Sequence, residues 1–271
     1  MLSSHFRWEH GKKVQLASID PNDTNAHQDR EEIEPNMACL KERLEVLQNM
    51  LYAAKQQSVL FVIQGMDCSG KDGVVKHALG CLHPQGFQVT SFRTPTEEEA
   101  SHDFLWRAHK ATPAKGMIGA FIRSYYEDVL ITRVHRLIDD SEAKQRFKHI
   151  NRFEKLLESS GVKIVKIFLH ISQDFQLAKL RNRLKDPTKR WKFDKNDLVE
   201  RESWEEYQAA YEDLIKQCSS DSAPWYIVPA NHRWYRDWAV LQIAVSALES
   251  MELTYPESVQ ELDDMLLTTL E

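Results

Sequence analysis

The segment that most constrains this chain is a short apolar run followed at once by a glycine-rich turn. Residues 58–64 read SVLFVIQ, and residues 65–73 read GMDCSGKDG. A run this short and rich in β-branched residues predicts a buried parallel strand rather than a helix. Gly65, Gly70 and Lys71 have the G-x-x-x-x-G-K spacing, in the strand–turn–helix context that a phosphate-binding loop needs. Glycines let backbone N–H groups converge on phosphate oxygens, and the helix that follows adds partial positive charge. Gly65, Ser69, Gly70, Asp72 and Gly73 are therefore candidate phosphate- and nucleotide-binding positions, and Lys71 is the mobile ammonium for the transferring phosphates. Asp72 stands where the common motif has a magnesium-binding Ser or Thr. Asp67 lies inside the loop. A carboxylate beside phosphates is unfavourable unless a metal neutralises it or the reaction uses it. Asp67 is thus expected to act through Mg²⁺ or on the attacking phosphate. A glycine turn with no ligand is the alternative.

Similar short runs follow at Phe87–Phe92, Met117–Ile122, Val162–Ile171 and Trp225–Val228. Helix-like segments separate them. Helices are expected from Asn36, over Tyr125–Ile138, Glu142–Ser159, Gln173–Leu184, Leu198–Cys218 and Arg233–Met251. Thr96 and Glu99 have capping-box spacing and predict a helix through Lys110. Strand–helix alternation with right-handed crossovers predicts a three-layer α/β sandwich with a parallel sheet of about five strands. Residues 1–35 read as an irregular N-terminal arm, 36–256 as a single domain, and 257–271 as an acidic C-terminal tail.

Charge is segregated along the chain. The 271 residues carry 35 Lys+Arg against 41 Asp+Glu, a net charge of −6, which argues against a general nucleic-acid binder. Yet seven of the residues from Lys179 to Lys192 are basic and one is acidic, while no Lys or Arg follows Arg236. A solvated helix face accounts for Lys179 and Arg181. It accounts poorly for Lys185, Lys189, Arg190 and Lys192, where Asp186-Pro187 breaks the helix and like charges crowd. A bound anion would relieve that repulsion, so a basic lid around 179–195 closing over a phosphate donor is expected.

Arg123 ends the Met117–Ile122 strand, at the sheet edge where α/β folds bind ligands, and could clamp a phosphoryl group. For Glu127 and Asp128, function and first-turn helix capping remain equal alternatives. Arg93, on the same edge, is a candidate contact for the acceptor phosphate, with a structural role as the alternative. The 11 histidines form no metal-spaced cluster, and the four cysteines, at no CxxC spacing, read as reduced intracellular thiols. No apolar run reaches the roughly 18 residues of a membrane span. The N-terminus lacks an apolar signal core, so a cytoplasmic location is expected.

The segments GMDCSGKDG, TSFRTPTEEEASHDFLWRAHK, RSYYEDVLITRVH, KIFLHIS, DPTKRWKF and APWYIVPANHRWYRDWAV together resemble the polyphosphate kinase type 2 family. They are most similar to its subgroup that phosphorylates both nucleoside mono- and diphosphates. The resemblance runs from about Asp20 to Pro256. It implies a P-loop kinase core with a helical lid, inorganic polyphosphate as donor, and AMP, ADP or their guanine equivalents as acceptor. It also implies Mg²⁺, with Mn²⁺ as an alternative, and a homodimer or homotetramer. On the same resemblance, Asp67 holds metal and the attacking phosphate, Lys71 and Arg123 act on phosphates, and Lys189, Arg190 and Lys192 lie near the polyphosphate path, in a basic lid that includes Arg181, Arg183 and Lys185. Two positions depart from the pattern: Ile122 stands where the family has Asn or Asp before Arg-Ser, and Tyr125 stands where the subgroup usually has His. The reading is a polyphosphate-dependent nucleotide kinase of reduced but real activity. Its rivals are an ATP-dependent small-molecule or nucleotide kinase and a polyphosphate sensor with little turnover, the latter resting on Ile122.

Overall fold

The computed structural model describes residues 2–256. The acidic C-terminal tail expected at 257–271 lies outside the described residues.

Five strands, β1 (Ser58–Gln64), β2 (Phe87–Ser91), β3 (Ile118–Ile122), β4 (Val162–His170) and β5 (Trp225–Pro229), form one sheet in the order β2-β3-β1-β4-β5. All neighbouring pairs are parallel. Every residue of β1 and β3 is buried, as strands covered on both faces require. Ile63 of β1 pairs with Ile122 of β3, and Gln64 with Phe168 of β4, which brings three C-terminal ends to one edge. From β1 the chain crosses to the β2 side, and from β3 to the β4 side, so the crevice for a ligand opens above β1.

The helices are α1 (Arg30–Ala54), α2 (Lys71–His77), α3 (Glu97–Ala100), α4 (Trp106–Ala111), α5 (Ile131–Val134), α6 (Asp140–Ser159), α7 (Gln173–Lys185), α8 (Asn196–Glu202), α9 (Trp204–Cys218) and α10 (Arg233–Glu249). They correct four sequence expectations. Helix α1 begins at Arg30 rather than Asn36, because the Asp29 carboxylate accepts from Glu32 N and caps it. Pro35 therefore lies inside the helix. The Thr96–Glu99 capping box is present in both directions, at 3.2 and 3.0 Å, but α3 stops at Ala100. Asp103 Oδ1 accepts from Leu105 N at 3.0 Å, and that local turn separates α3 from α4, so no single helix reaches Lys110. The expected helix over Tyr125–Ile138 is a 3₁₀ turn (Tyr125–Val129) and the single turn α5, because both tyrosine hydroxyls are drawn inward to one carboxylate, Glu154 Oε1. Ser203 divides the expected Leu198–Cys218 helix into α8 and α9.

The N-terminal arm is irregular but docked. Phe6, Val14 and Leu16 are buried, and Trp8 N and Ile227 N exchange hydrogen bonds with Trp225 O and Phe6 O at 2.7 and 2.8 Å. The arm thereby covers the free edge of β5. Beneath the ligand edge, Lys166 of β4 meets Glu154 of α6 at 2.6 Å, both essentially out of solvent.

Candidate phosphate-transfer site

The loop after β1 is shaped by its glycines. A Cβ at Gly65 would lie 2.7 Å from Ser69 Oγ and 2.8 Å from Leu169 O, so only glycine fits there. Gly70 has φ +93° and opens α2. Ser69 is buried and Asp72 is exposed. Lys71 is buried, and its Nζ donates to Gly65 O at 2.6 Å and Met66 O at 3.2 Å. Burial lowers the Lys71 pKa, against the pull of Asp67 and Glu127.

Arg123, just past β3, reaches across to the loop. Its Nη2 donates to Asp67 Oδ1 at 2.9 Å, while its own backbone N–H donates to Ile63 O at 3.1 Å. Burial alone would raise the Asp67 pKa, but Lys71, Arg123 and Arg183 outweigh it and hold the carboxyl below its ordinary value. Glu127 shows the opposite balance: burial raises its pKa despite Arg123 and Lys71. Its Oε1 lies 3.0 Å from the side-chain amide of Gln64 at the end of β1. The structure thus brings Asp67, Lys71, Arg123 and Glu127 together. Burial pushes the neighbouring Cys68 thiol up to about 11, so it stays protonated at neutral pH.

Asp128 points elsewhere. Its carboxylate meets Arg107 of α4 at 3.5 Å. Arg107 is buried; its Nη1 donates to Arg93 O at 2.8 Å and lies 3.6 Å from Glu99. This arginine ties the end of β2, α3 and the turn after β3 together, a role that nothing in its sequence context signalled. The Arg93 side chain is exposed beside it. A cavity of about 850 Å³ lies against Arg107, Asp128, Arg146, Phe104 and Phe153, and the loop residues do not line it.

The basic segment follows α7 and folds back on itself. Arg183 donates to Asp197 Oδ2 at 2.9 Å and to Lys192 O at 3.2 Å, tying the end of α7 to α8. Arg190 Nε donates to Leu184 O at 3.0 Å, and Lys189 pairs with Asp186. Arg181, Lys185, Lys189, Arg190 and Lys192 are exposed, as is Trp191. Lys179 is not the solvated residue that its charge run suggests. It is half-buried over the Phe175 ring, and burial together with Arg233 and Arg236 lowers its pKa. Arg233 and Arg236 of α10 lie in the segment APWYIVPANHRWYRDWAV, where no local spacing marks them as part of a phosphate site.

Mg²⁺ binds through one or two carboxylates and completes its shell with water and substrate phosphates. Among the described residues no group of three or more His, Cys, Asp or Glu could hold a metal by itself. The Asp67 and Glu127 carboxylates, both beside Lys71, fit a cation held mainly by phosphate oxygens. No helix among the described residues is long and apolar enough to cross a membrane.

Residues 27–256 match the family model described as Polyphosphate kinase 2 (PPK2). Over 253 residues the chain is 44% identical to the AMP/ADP-polyphosphate phosphotransferase of Meiothermus ruber, spanning 93% of this chain and 95% of that protein. It is 40% identical over 268 residues to the ADP-polyphosphate phosphotransferase of Rhodopseudomonas palustris, spanning 94% and 93%. The crystal structure of Polyphosphate Kinase 2 from Arthrobacter aurescens TC1 superposes with a TM-score of 0.94 at 40% identity, covering 99% of this chain and 96% of that one.

Proposed function

The chain belongs to the polyphosphate kinase 2 family, and on that premise we propose that it transfers a phosphoryl group from inorganic polyphosphate to AMP or ADP, or to GMP or GDP. The observation that carries this reading is the Arg123–Asp67 pair set over a phosphate loop whose lysine is buried beside it. Phosphoryl transfer asks little covalent chemistry of the protein, so positioning and charge stabilisation dominate.

In this reading Lys71 and Arg123 stabilise the transferring phosphoryl group, and Asp67 orients the attacking oxygen of the acceptor phosphate. Arg93, on the same sheet edge, contacts the acceptor. The basic segment from Arg181 to Lys192 lies along the polyphosphate donor and excludes water when it closes. Asp67 and Glu127 would hold a divalent cation, Mg²⁺ or Mn²⁺, whose contribution when bound is to neutralise phosphate charge. Burial raises the Glu127 pKa, and such a cation would favour its ionised form. Ile122 leaves that edge one polar group short, which reduces turnover without abolishing it. A homodimer or homotetramer in the cytoplasm completes the proposal, and solution scattering tests the assembly.

The test is product analysis with polyphosphate, Mg²⁺ and each of AMP, ADP, GMP and GDP, run beside ATP as donor. Nucleotide products from polyphosphate support the reading. Products from ATP alone favour an ordinary kinase, and binding of polyphosphate without any product favours a sensor.

A further inference from the structure

The phosphate loop is held by a side chain 167 residues away from it in sequence. Arg236, on the first turn of α10, is 3% exposed, and its Nη1 donates to Ser69 O at 3.2 Å. Its Nε and Nη2 both donate to Asp237 Oδ1, at 2.9 and 2.6 Å. The guanidinium lies directly against two loop glycines. A Cβ at Gly70 would stand 1.9 Å from Nη1, and one at Gly73 would stand 3.0 Å from Nη2.

We propose that Arg236 is a positioning residue for phosphoryl transfer, which sets the shape of the phosphate loop from α10 while Asp237 holds its guanidinium in place. The inference rests on the reading that this loop holds the transferring phosphates.

Two features carry it. The Ser69 carbonyl and the Gly70 N–H belong to one planar trans peptide and point in opposite directions. Fixing the carbonyl on Arg236 therefore fixes the direction of an amide in the part of the loop that must face phosphate. Gly73 supplies the second argument. It lies inside α2 and has no positive φ, so alanine would be the better helix former there. What its missing side chain accommodates is the Arg236 guanidinium. The charge of Arg236 is balanced by Asp237 at hydrogen-bond distance, so shape is the larger contribution of this arginine to the loop.

The experiment is steady-state kinetics of the full chain with polyphosphate and ADP, with the thermal midpoint measured for each variant. Wild-type turnover is read first, and its absence would count against the proposed function rather than against Arg236. With an active wild type, Arg236→Ala is expected to lower kcat by about tenfold or more, with the KM for ADP changed by less than about twofold, because a displaced loop misaligns the reacting phosphate without touching the nucleoside. Gly73→Ala is the second variant, since a buried arginine is a risk to folding. It favours helix, so its midpoint should hold or rise, yet kcat should fall about fivefold as the new methyl displaces the guanidinium. In the Arg236→Ala background Gly73→Ala should cost nothing further. A folded Arg236→Ala or Gly73→Ala protein with wild-type kcat overturns the proposal. So does a Gly73→Ala loss that persists undiminished when Arg236 is gone.

Discussion

Arg123 Nη2 lies 2.9 Å from Asp67 Oδ1, so the residue that ends β3 is clamped to the loop that leaves β1. Arg123 adopts φ +60°, a left-handed conformation that costs a non-glycine residue about 1–2 kcal/mol. Its side chain is thereby turned onto the loop rather than along the strand. Replacing the carboxylate should release it. Asp67→Asn is expected to lower kcat by about 100-fold or more, the scale of removing one preorganised charged group at a reacting centre. Arg123→Lys should lose nearly as much, because an ammonium lacks the guanidinium fork. Steady-state rates with polyphosphate and ADP check both, and a Lys variant at wild-type rate would contradict the geometric argument.

Glu127 gives a pH-dependent prediction. Its pKa is raised above the ordinary 4.5, so the folded chain binds that proton more tightly than the unfolded chain does. The stabilising contribution of the group is complete below 4.5 and is lost as pH rises through the folded value. Glu127→Gln mimics the neutral acid. It should raise the melting midpoint at neutral pH, with the gap over wild type closing as pH falls to 4.5, while turnover drops. Equal midpoints for the two proteins at pH 7 would show that burial does not govern this carboxyl.

What the sequence reveals here depends on how local its causes are. The strands are legible within one residue at each end, most plainly where burial on both faces writes a continuous apolar run into the chain, as at Ser58–Gln64. The phosphate loop was legible for the same reason: its spacing is a local requirement. The two tyrosines after Ser124 were misread as helix because their hydroxyls answer to Glu154, nearly thirty residues away. Arg107 and Arg236 carry no local signature of their roles: Arg107 joins Arg93, Glu99 and Asp128 through the fold, and Arg236 meets the Ser69 carbonyl 167 residues away. Composition concealed the site as well, since a net charge of −6 hides cations gathered from α7 and α10 around one loop.

The buried pair below the site should be sensitive to loss of one partner only. Lys166 Nζ lies 2.6 Å from Glu154 Oε2, and Glu154 Oε1 accepts from both Tyr125 and Tyr126. Tyr125 thus has a satisfied hydroxyl. Lys166→Met leaves a buried carboxylate without its cation and should cost about 3–5 kcal/mol. Lys166→Met combined with Glu154→Gln should recover most of that loss. Denaturant unfolding of the three proteins measures it, and equal losses in the single and double variants would refute the coupling.

The lid predicts a salt dependence that net charge would not suggest. Arg183 ties α7 to Asp197 of α8, and its field also lowers the Asp67 pKa. The exposed cations beyond it are screened over about 8 Å at physiological ionic strength. The KM for polyphosphate should therefore rise with salt more steeply than the KM for nucleotide. Asp197→Asn should raise the polyphosphate KM by about twofold to fivefold, since a loosened lid loses a few tenths to one kcal/mol of preorganisation. A polyphosphate KM insensitive to ionic strength would remove the physical basis for the lid assignment.

Ile122 allows a gain-of-function test. It pairs with Ile63 and Ser91 at the C-terminal edge of the sheet, directly before Arg123, and is 9% exposed. An isoleucine there contributes packing to β3 but offers neither a metal ligand nor a hydrogen-bond acceptor to the phosphates. Ile122→Asn supplies an amide at the place where the family pattern has a polar residue. It should lower stability by about 2–4 kcal/mol through lost apolar burial. It should also raise kcat and reduce the Mg²⁺ concentration needed for half-maximal rate, because the added oxygen can orient the phosphate-bound cation. The two effects separate cleanly: the midpoint reports packing, and the Mg²⁺ titration of the rate reports the site. If Ile122→Asn melts lower yet keeps wild-type turnover and Mg²⁺ dependence, the polar residue of the family pattern serves only to order the turn, and Ile122 does not limit this enzyme.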